Sequence, residues 1–284
     1  MKQLLSIIII IFLLVLGYFY VFIYNQDSQY LNEKTNFEGT SENNQVDINQ
    51  EFDNILDLTE DTEDVEITAD EGTKIPSTFD NDVTFFSQAP TGSWELPYQE
   101  ACEESSLILV SYFFQDKYLD SEVMDAEIQR AVAWQEENFG TYSDTSVNEV
   151  MQMASEHFGL QGTVIEDVTE DILKSELTKG NVIVAPFAGR LLGNKYYSGD
   201  GPLYHMLVIR GYDRNEFITN DVGTQHGESF KYKYSTLINA IHDLPLESDG
   251  TVYRPYEELD SEETKEELML TGKKLIISFS SSVR

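Results

Sequence analysis

The strongest hydrophobic pattern lies at the amino end of the chain, where residues 4–24 contain no charged side chain. As a helix, these 21 residues would span roughly 30 Å, the hydrocarbon thickness of a bilayer. The alternative is a cleaved signal peptide, but that has a shorter apolar core and a small-residue cleavage site, and no such site follows this run. Because Lys2 precedes the run and an acidic chain follows it, the pattern predicts a single-pass cell-membrane anchor over residues 1–25, with its amino end inside.

Residues 26–82 have the opposite pattern, since apolar side chains are sparse and acidic ones are frequent. Seventeen aspartates and glutamates stand against two lysines in this range. Such a segment repels itself and buries little apolar surface, so we predict an acidic, disordered stalk. One folded domain is then expected over residues 83–284.

Within that domain, apolar residues first follow a helical period and, after Gly180, form short runs that are typical of strands. Helices are predicted at residues 102–118, 121–136, 146–158, 170–177, 234–244 and 262–270, and strands at residues 83–86, 182–187, 205–212, 216–222 and 274–279. Ser146 and Glu149 have the spacing of a capping box. Helices followed by antiparallel strands predict an α+β fold.

Composition narrows the functional classes. The net charge of −33 argues against binding of nucleic acid through its phosphates and favours neutral or basic substrates. The chain has one cysteine, Cys102, which excludes an intramolecular disulfide and a cysteine-rich zinc site. Glycine-rich phosphate loops are missing from the sequence, and neither a cofactor nor a metal is expected.

Cys102 stands where the predicted buried helix begins, and a helix amino end lowers the pKa of a thiol. Its neighbours Glu103 and Glu104 act in the opposite direction, because nearby carboxylates disfavour a thiolate. A reactive thiol therefore needs a cationic partner, and histidine is the natural one.

Of the four histidines, His205 is the best placed, because it opens a strand directly after a glycine-rich loop. A three-residue hairpin loop at residues 213–215, with Asn215 in the left-handed region, would pair Tyr212 with Glu216. His205 and Asp221 would then be diagonal neighbours on one face of the sheet. A register slip of one residue would make Asn220 the better orienting group.

Three segments carry a resemblance to a known family: FFSQAPTGSWELPYQEACEESS, YHMLVIRGYD and ITNDVG. They resemble the C39-like peptidases, which are papain-like cysteine peptidases related to bacteriocin-processing domains. The resemblance covers most of residues 83–279. It implies a papain-like α+β fold in which a nucleophile-bearing helix packs on an antiparallel sheet.

The resemblance also implies roles for individual residues. Cys102 resembles the nucleophile, His205 the general base, Asp221 the orienting acid and Gln88 the glutamine that donates to the oxyanion, with Gln99 as an alternative donor. Together with the predicted anchor, this implies a membrane-bound, extracytoplasmic cysteine peptidase that acts on peptides or proteins.

The sequence departs from the family pattern at two positions. Glu103 stands where the family more often has glycine, and Val222 follows Asp221 in place of a frequent proline. A catalytically silent domain that binds peptides or cell-wall material is therefore an alternative. Two further alternatives are an acyl transferase, in which an amine instead of water takes the acyl group from the thioester, and a metal site formed by His205, Asp221 and His226.

Overall fold

The computed structural model describes residues 75–248, 251–253, 259 and 261–281. None of the helices in these ranges has both the length and the apolar composition that crossing a bilayer requires. The predicted anchor and residues 26–74 of the predicted stalk lie outside the described residues.

The described residues form an α+β fold with one antiparallel sheet of seven strands and six helices. The strands are β1 (Phe79–Asp80), β2 (Gln161–Ile165), β3 (Val182–Ala188), β4 (Tyr204–Tyr212), β5 (Glu216–Asn220), β6 (Phe230–Lys233) and β7 (Ile276–Ser280). The helices are α1 (Cys102–Phe114), α2 (Ser121–Phe139), α3 (Val147–Glu156), α4 (Glu170–Thr178), α5 (Tyr234–Ala240) and α6 (Glu262–Met269). Two short 3₁₀ helices lie at Tyr98–Glu100 and Gly189–Leu192.

The central strands are buried on both faces. The strand order is β2-β7-β3-β4-β5-β6, and β1 pairs with β4 outside this path. Every residue of β3 and β4 is buried. Alternate residues of β3 join two different apolar clusters: Val182 and Val184 pack with α1, α2 and α3, whereas Ile183 and Ala185 pack with α4 and α5. This explains why both strands read as continuous apolar runs.

The helix predictions agree with the structure because caps and periodicity coincide. The predicted capping box is present, since Ser146 accepts from the Glu149 N–H and the Glu149 carboxylate accepts from the Ser146 N–H. The strand predicted at residues 83–86 is wrong, because those residues form no strand. Strands β2 and β6 were not predicted: both are short, and only one residue of β6 is buried.

The β4–β5 hairpin contains a bulge that the sequence does not reveal. Tyr212 pairs with Phe217, one residue away from the predicted partner, and Asn215 does not have a positive φ. A register shift between Ile209 and Gly211 then pairs Val208 with Asn220. The bulge therefore returns the strands to the predicted register before they reach His205.

The last residues of the range predicted as stalk are part of the sheet. Phe79 pairs with Tyr212, and the buried Arg210 donates to the Asp80 carboxylate, to Asp82 and to the Val83 carbonyl. The folded part therefore begins upstream of the predicted boundary at residue 83. Acidic side chains that indicated a solvated stalk are the partners of a buried guanidinium.

Candidate active site

Cys102 is the first residue of α1, and the ten residues from Cys102 to Ser111 are all buried. The helix is apolar on most sides, so it packs as a core element and its amino end is held in place. The hydroxyl of Ser106, on the same helix, donates to the Met206 carbonyl of β4 over 3.4 Å. The thiol is therefore fixed beside the strand that begins at Tyr204.

The imidazole of His205 and the carboxylate of Asp221 form a hydrogen bond, with 2.9 Å between Nε2 and Oδ1. Both side chains are buried. Because an ionised carboxylate only accepts, Nε2 carries the proton of this bond, and Nδ1 is the ring atom that accepts a proton when the imidazole is neutral. The expected contact between these two residues is thus present, just beyond the end of β5.

Asp221 is held by four further donors. Its Oδ2 atom accepts from Tyr232 over 2.6 Å, Tyr197 over 2.7 Å and Asn194 over 2.9 Å, and its Oδ1 atom accepts from the Gly223 N–H over 3.1 Å. Burial alone would raise the pKa of Asp221, but attraction to His205 and the hydrogen bonds lower that pKa to about 2. The carboxylate is therefore ionised and immobile.

A cavity of about 460 Å³ joins the thiol and the imidazole. Cys102 and His205 both line it, at the meeting point of the α1 amino end and the start of β4. The other lining residues come mainly from the loops before α1 and before β4: Gln88, Trp94, Gln99, Glu100, Asp144, Tyr197, Ser198, Gly201, Pro202, Leu203, Tyr204 and Gly223.

In this structure the thiol donates its hydrogen bond to Glu103, with 3.0 Å between Sγ and Oε2. Burial raises the pKa of Cys102 well above its usual value, and the charges of Glu103 and Asp144 raise it further. A hydrogen bond with the Met206 backbone lowers it only in part. The resting sulfur is therefore a neutral thiol.

Glu103 and Glu104 are buried acids in the first turn of α1. Burial raises the pKa of both, and repulsion from Glu104 adds to the effect at Glu103. The Oε1 atom of Glu103 accepts from the Thr145 N–H over 2.8 Å. Both carboxyl oxygens of Glu104 are buried without a hydrogen-bond partner.

Gln88 lines the cavity, but its amide nitrogen is occupied. Nε2 lies 2.9 Å from the carbonyl oxygens of Tyr98 and of Gln99, and both of its hydrogens are needed for these bonds. The side chain thus holds the 3₁₀ turn that leads to Cys102. Gln99 is exposed and lines the same cavity, so its amide is the more available donor.

The remaining candidates lie elsewhere. Asn220 donates to the Val83 carbonyl and does not orient His205. His226 is exposed and packs against Tyr196 with 4.3 Å between ring centroids. No group of three or more potential ligands that could hold a metal ion occurs in the part of the chain that the structure describes.

Sequence reasoning missed the residues that surround Asp221. Asn194 and Tyr197 lie in the loop before β4, and Tyr232 lies on β6, which was not predicted. For Tyr197 the sequence offers one local signal, because Tyr196 and Tyr197 directly precede the glycine-rich loop that leads to His205. Tyr232 has no local signal, because only the pairing of β5 with β6 brings it to Asp221.

One solved structure, a protein from Bacillus anthracis described as a C39-like peptidase, aligns over 74% of this chain and 100% of its own, with 12% identity and a TM-score of 0.43. The comparison with curated proteins gave no match. The model of the peptidase C39-like family matches residues 80–243, more than half of the chain and the whole interval from Gln88 to Asp221. The chain therefore belongs to the peptidase C39-like family.

Proposed function

We propose that the protein is a membrane-anchored, extracytoplasmic cysteine peptidase that hydrolyses peptide bonds through Cys102, His205 and Asp221. The observation that carries this proposal is the cavity shared by the only cysteine and by an imidazole bonded to a buried carboxylate. Membership of the peptidase C39-like family supports the same reaction class. The triad roles and the cellular location are part of the proposal.

The first step transfers the thiol proton to Nδ1 of His205 while sulfur attacks the carbonyl carbon of the scissile peptide. A carbon–sulfur bond forms and the carbonyl becomes an oxyanion. Because the resting thiol is neutral, proton transfer and attack are coupled, as in serine-dependent acyl transfer. His205 then protonates the leaving amine, and water hydrolyses the thioester with the same imidazole as base.

The oxyanion requires donors at the amino end of α1. The backbone N–H of Cys102 is one candidate, since a helix amino end offers unpaired N–H groups. The second is a glutamine amide: Gln99 can donate without breaking a bond, whereas Gln88 first has to release one of its two carbonyl partners. This makes Gln99 the stronger candidate of the two.

The test uses the complete chain in detergent or vesicles, with an iodoacetamide probe, an unstructured protein substrate such as casein and mass spectrometry of the products. Wild type should be labelled at Cys102 and should release peptides. Cys102→Ala should lose both, and His205→Ala should lose hydrolysis. Peptide release that survives in Cys102→Ala would exclude the proposal.

The neutral thiol favours one alternative, a silent binding domain on the same fold. Its bond to Glu103 and the occupied amide of Gln88 both describe a site that is not poised for attack. This alternative predicts tight peptide binding in the cavity with no product. Equal peptide affinity of wild type and Cys102→Ala, without cleavage by either, would favour it.

The charge of the cavity lining bears on which peptides bind. The described lining of the cavity contains Glu100 and Asp144 but neither lysine nor arginine, so acidic peptides should bind poorly.

The uncharged run at residues 4–24 supports an anchor with the catalytic part outside. Protease digestion of intact cells tests this: an extracytoplasmic domain is cleaved, whereas a cytoplasmic one is protected.

A further inference from the structure

The residue directly after the nucleophile contacts the nucleophile itself. Glu103 Oε2 is 3.0 Å from Cys102 Sγ, a short separation for a hydrogen bond to sulfur. The other oxygen of Glu103 is held by the Thr145 N–H. The carboxyl group is therefore fixed by a backbone donor on one side and directed at the thiol on the other.

Burial makes this contact chemically significant. Glu103 is 1% exposed and Cys102 is 5% exposed, so solvent screens their interaction weakly. Among the described residues, the titratable groups that interact with Glu103 or with its neighbours Cys102 and Glu104 are carboxyl and phenol groups: Glu100, Tyr142, Asp144 and Tyr204. This surrounding favours protonated forms of both Glu103 and the thiol.

We propose that Glu103 is a positioning residue that holds the proton on Cys102 and thereby sets the pH at which the sulfur becomes nucleophilic. Glu103 and His205 then compete for one thiol hydrogen. Attack requires the S–H bond to turn from Oε2 of Glu103 to the free Nδ1 of His205. The inference rests on the proposed function only in taking Cys102 as the nucleophile.

The alkylation rate of Cys102 measures this property directly. The second-order rate constant with iodoacetamide is determined against pH for wild type, Glu103→Gln and Glu104→Gln, with Cys102→Ala as the blank. Glu104→Gln is the matched control, because Glu104 is an equally buried acid in the same turn but does not bond the thiol.

Burial raises the pKa of Glu103 to about 8, so this carboxyl group is ionised at the more alkaline pH where the thiol titrates. Glu103→Gln removes that charge and keeps the shape, so the midpoint of the pH profile should fall by at least one unit. A thiol of lower pKa is also intrinsically less nucleophilic, so at alkaline pH below the midpoint the rate should rise by about threefold for a one-unit shift. Glu104→Gln should shift the midpoint by less than half as much. An unchanged midpoint in folded Glu103→Gln, or an equal shift in both variants, would overturn the inference.

A measurement on wild type keeps the inference testable if Glu103→Gln does not fold. The chain has one cysteine, so the S–H stretching band in the infrared spectrum belongs to Cys102 alone. The band should be present at neutral pH and lie below the frequency of a solvated thiol. Its absence at neutral pH would show a thiolate and refute the assignment.

The two proposals fail separately. A midpoint that falls in Glu103→Gln, in a protein that hydrolyses nothing, would reject the peptidase and retain the role of Glu103. Hydrolysis by wild type, with no change of midpoint in Glu103→Gln, would retain the peptidase and reject the role of Glu103.

Discussion

Nε2 of His205 donates to Oδ1 of Asp221 over 2.9 Å, and the two side chains are 3% and 0% exposed. At this depth the bond decides which ring nitrogen carries the proton. In the proposed mechanism Nδ1 takes the thiol proton, so Asp221 would act on the sulfur only through the tautomer of the imidazole.

Asp221→Asn tests this relationship. The amide can donate to Nε2 and so force the proton onto Nδ1, which should lower kcat by roughly 10³-fold or more while KM changes little. Asp213→Asn, at a half-buried acid in the loop of the same hairpin, is the control and should leave kcat within twofold. A kcat for Asp221→Asn within tenfold of wild type would contradict the assigned tautomer.

Tyr232→Phe should destabilise the protein in a pH-dependent manner. It removes a hydrogen bond to a buried carboxylate, which contributes about 2 kcal/mol to the free energy of unfolding. Asp221 has a lowered pKa in the folded state, so its contribution is present above the unfolded pKa of about 3.9 and is lost as pH falls toward 2.

Denaturant unfolding of Tyr232→Phe at about pH 6 and about pH 3 checks both parts. The difference from wild type should be largest at the higher pH and should shrink at the lower one. Tyr196→Phe, at an exposed tyrosine in the loop before β4, should show no such dependence.

Gly223→Ala should damage the site more than the fold. A Cβ atom at this position would lie 2.7 Å from Cε1 and 3.0 Å from Nε2 of His205, so the imidazole has to move away from Asp221. We expect kcat/KM to fall by about 100-fold, because misplacement by about 1 Å has this effect on a catalytic group. Thermal unfolding should change by only a few degrees.

Ser198→Ala is the matched control for Gly223→Ala, since Ser198 also lines the cavity but is exposed. Its kcat/KM should stay within threefold of wild type. Full activity of Gly223→Ala would show that the ring is free to shift without loss.

Glu104→Leu should stabilise the protein at alkaline pH. Burial raises the folded-state pKa of Glu104, so its contribution to stability is complete below the unfolded pKa of about 4.3 and is lost as pH rises through the folded value. Replacement by an apolar side chain removes this loss, and the melting temperature at about pH 8.5 should rise by roughly 3 °C.

The comparison at about pH 5 separates this effect from packing, because most of Glu104 is protonated there in the folded state. The gain from Glu104→Leu should be smaller at that pH. A gain that is equal at both values would point to packing alone.

The helices could be predicted because local signals and tertiary packing agree. Helix α3 begins at a capping box, and α1 is recognisable from a run that is apolar on most sides. The three unpredicted strands, β1, β2 and β6, lack such signals, since their residues depend on neighbours that are distant in sequence. Residues 83–86 have strand-forming side chains, but they have no paired neighbour to make them a strand.

Cys102, His205 and Asp221 could be selected from residue type and order, and the cavity joins the first two. The register argument reached the right pair for an incomplete reason, because the hairpin is offset by one residue and the bulge at Arg210 corrects it. For the effect of the neighbouring carboxyl groups on the thiol pKa, only the direction could be predicted. Glu103 was expected to oppose a thiolate, but its direct bond to sulfur depends on a side-chain conformation that sequence does not specify.

The contacts of Arg210 decide where the chain can be shortened. This guanidinium is buried on the strand that carries His205, and its acidic partners Asp80 and Asp82 both precede residue 83. A recombinant fragment that starts at Val83 would retain the cation and discard both counterions, next to the bulge that sets the histidine's alignment. Recombinant fragments of the folded part should therefore start before Phe79.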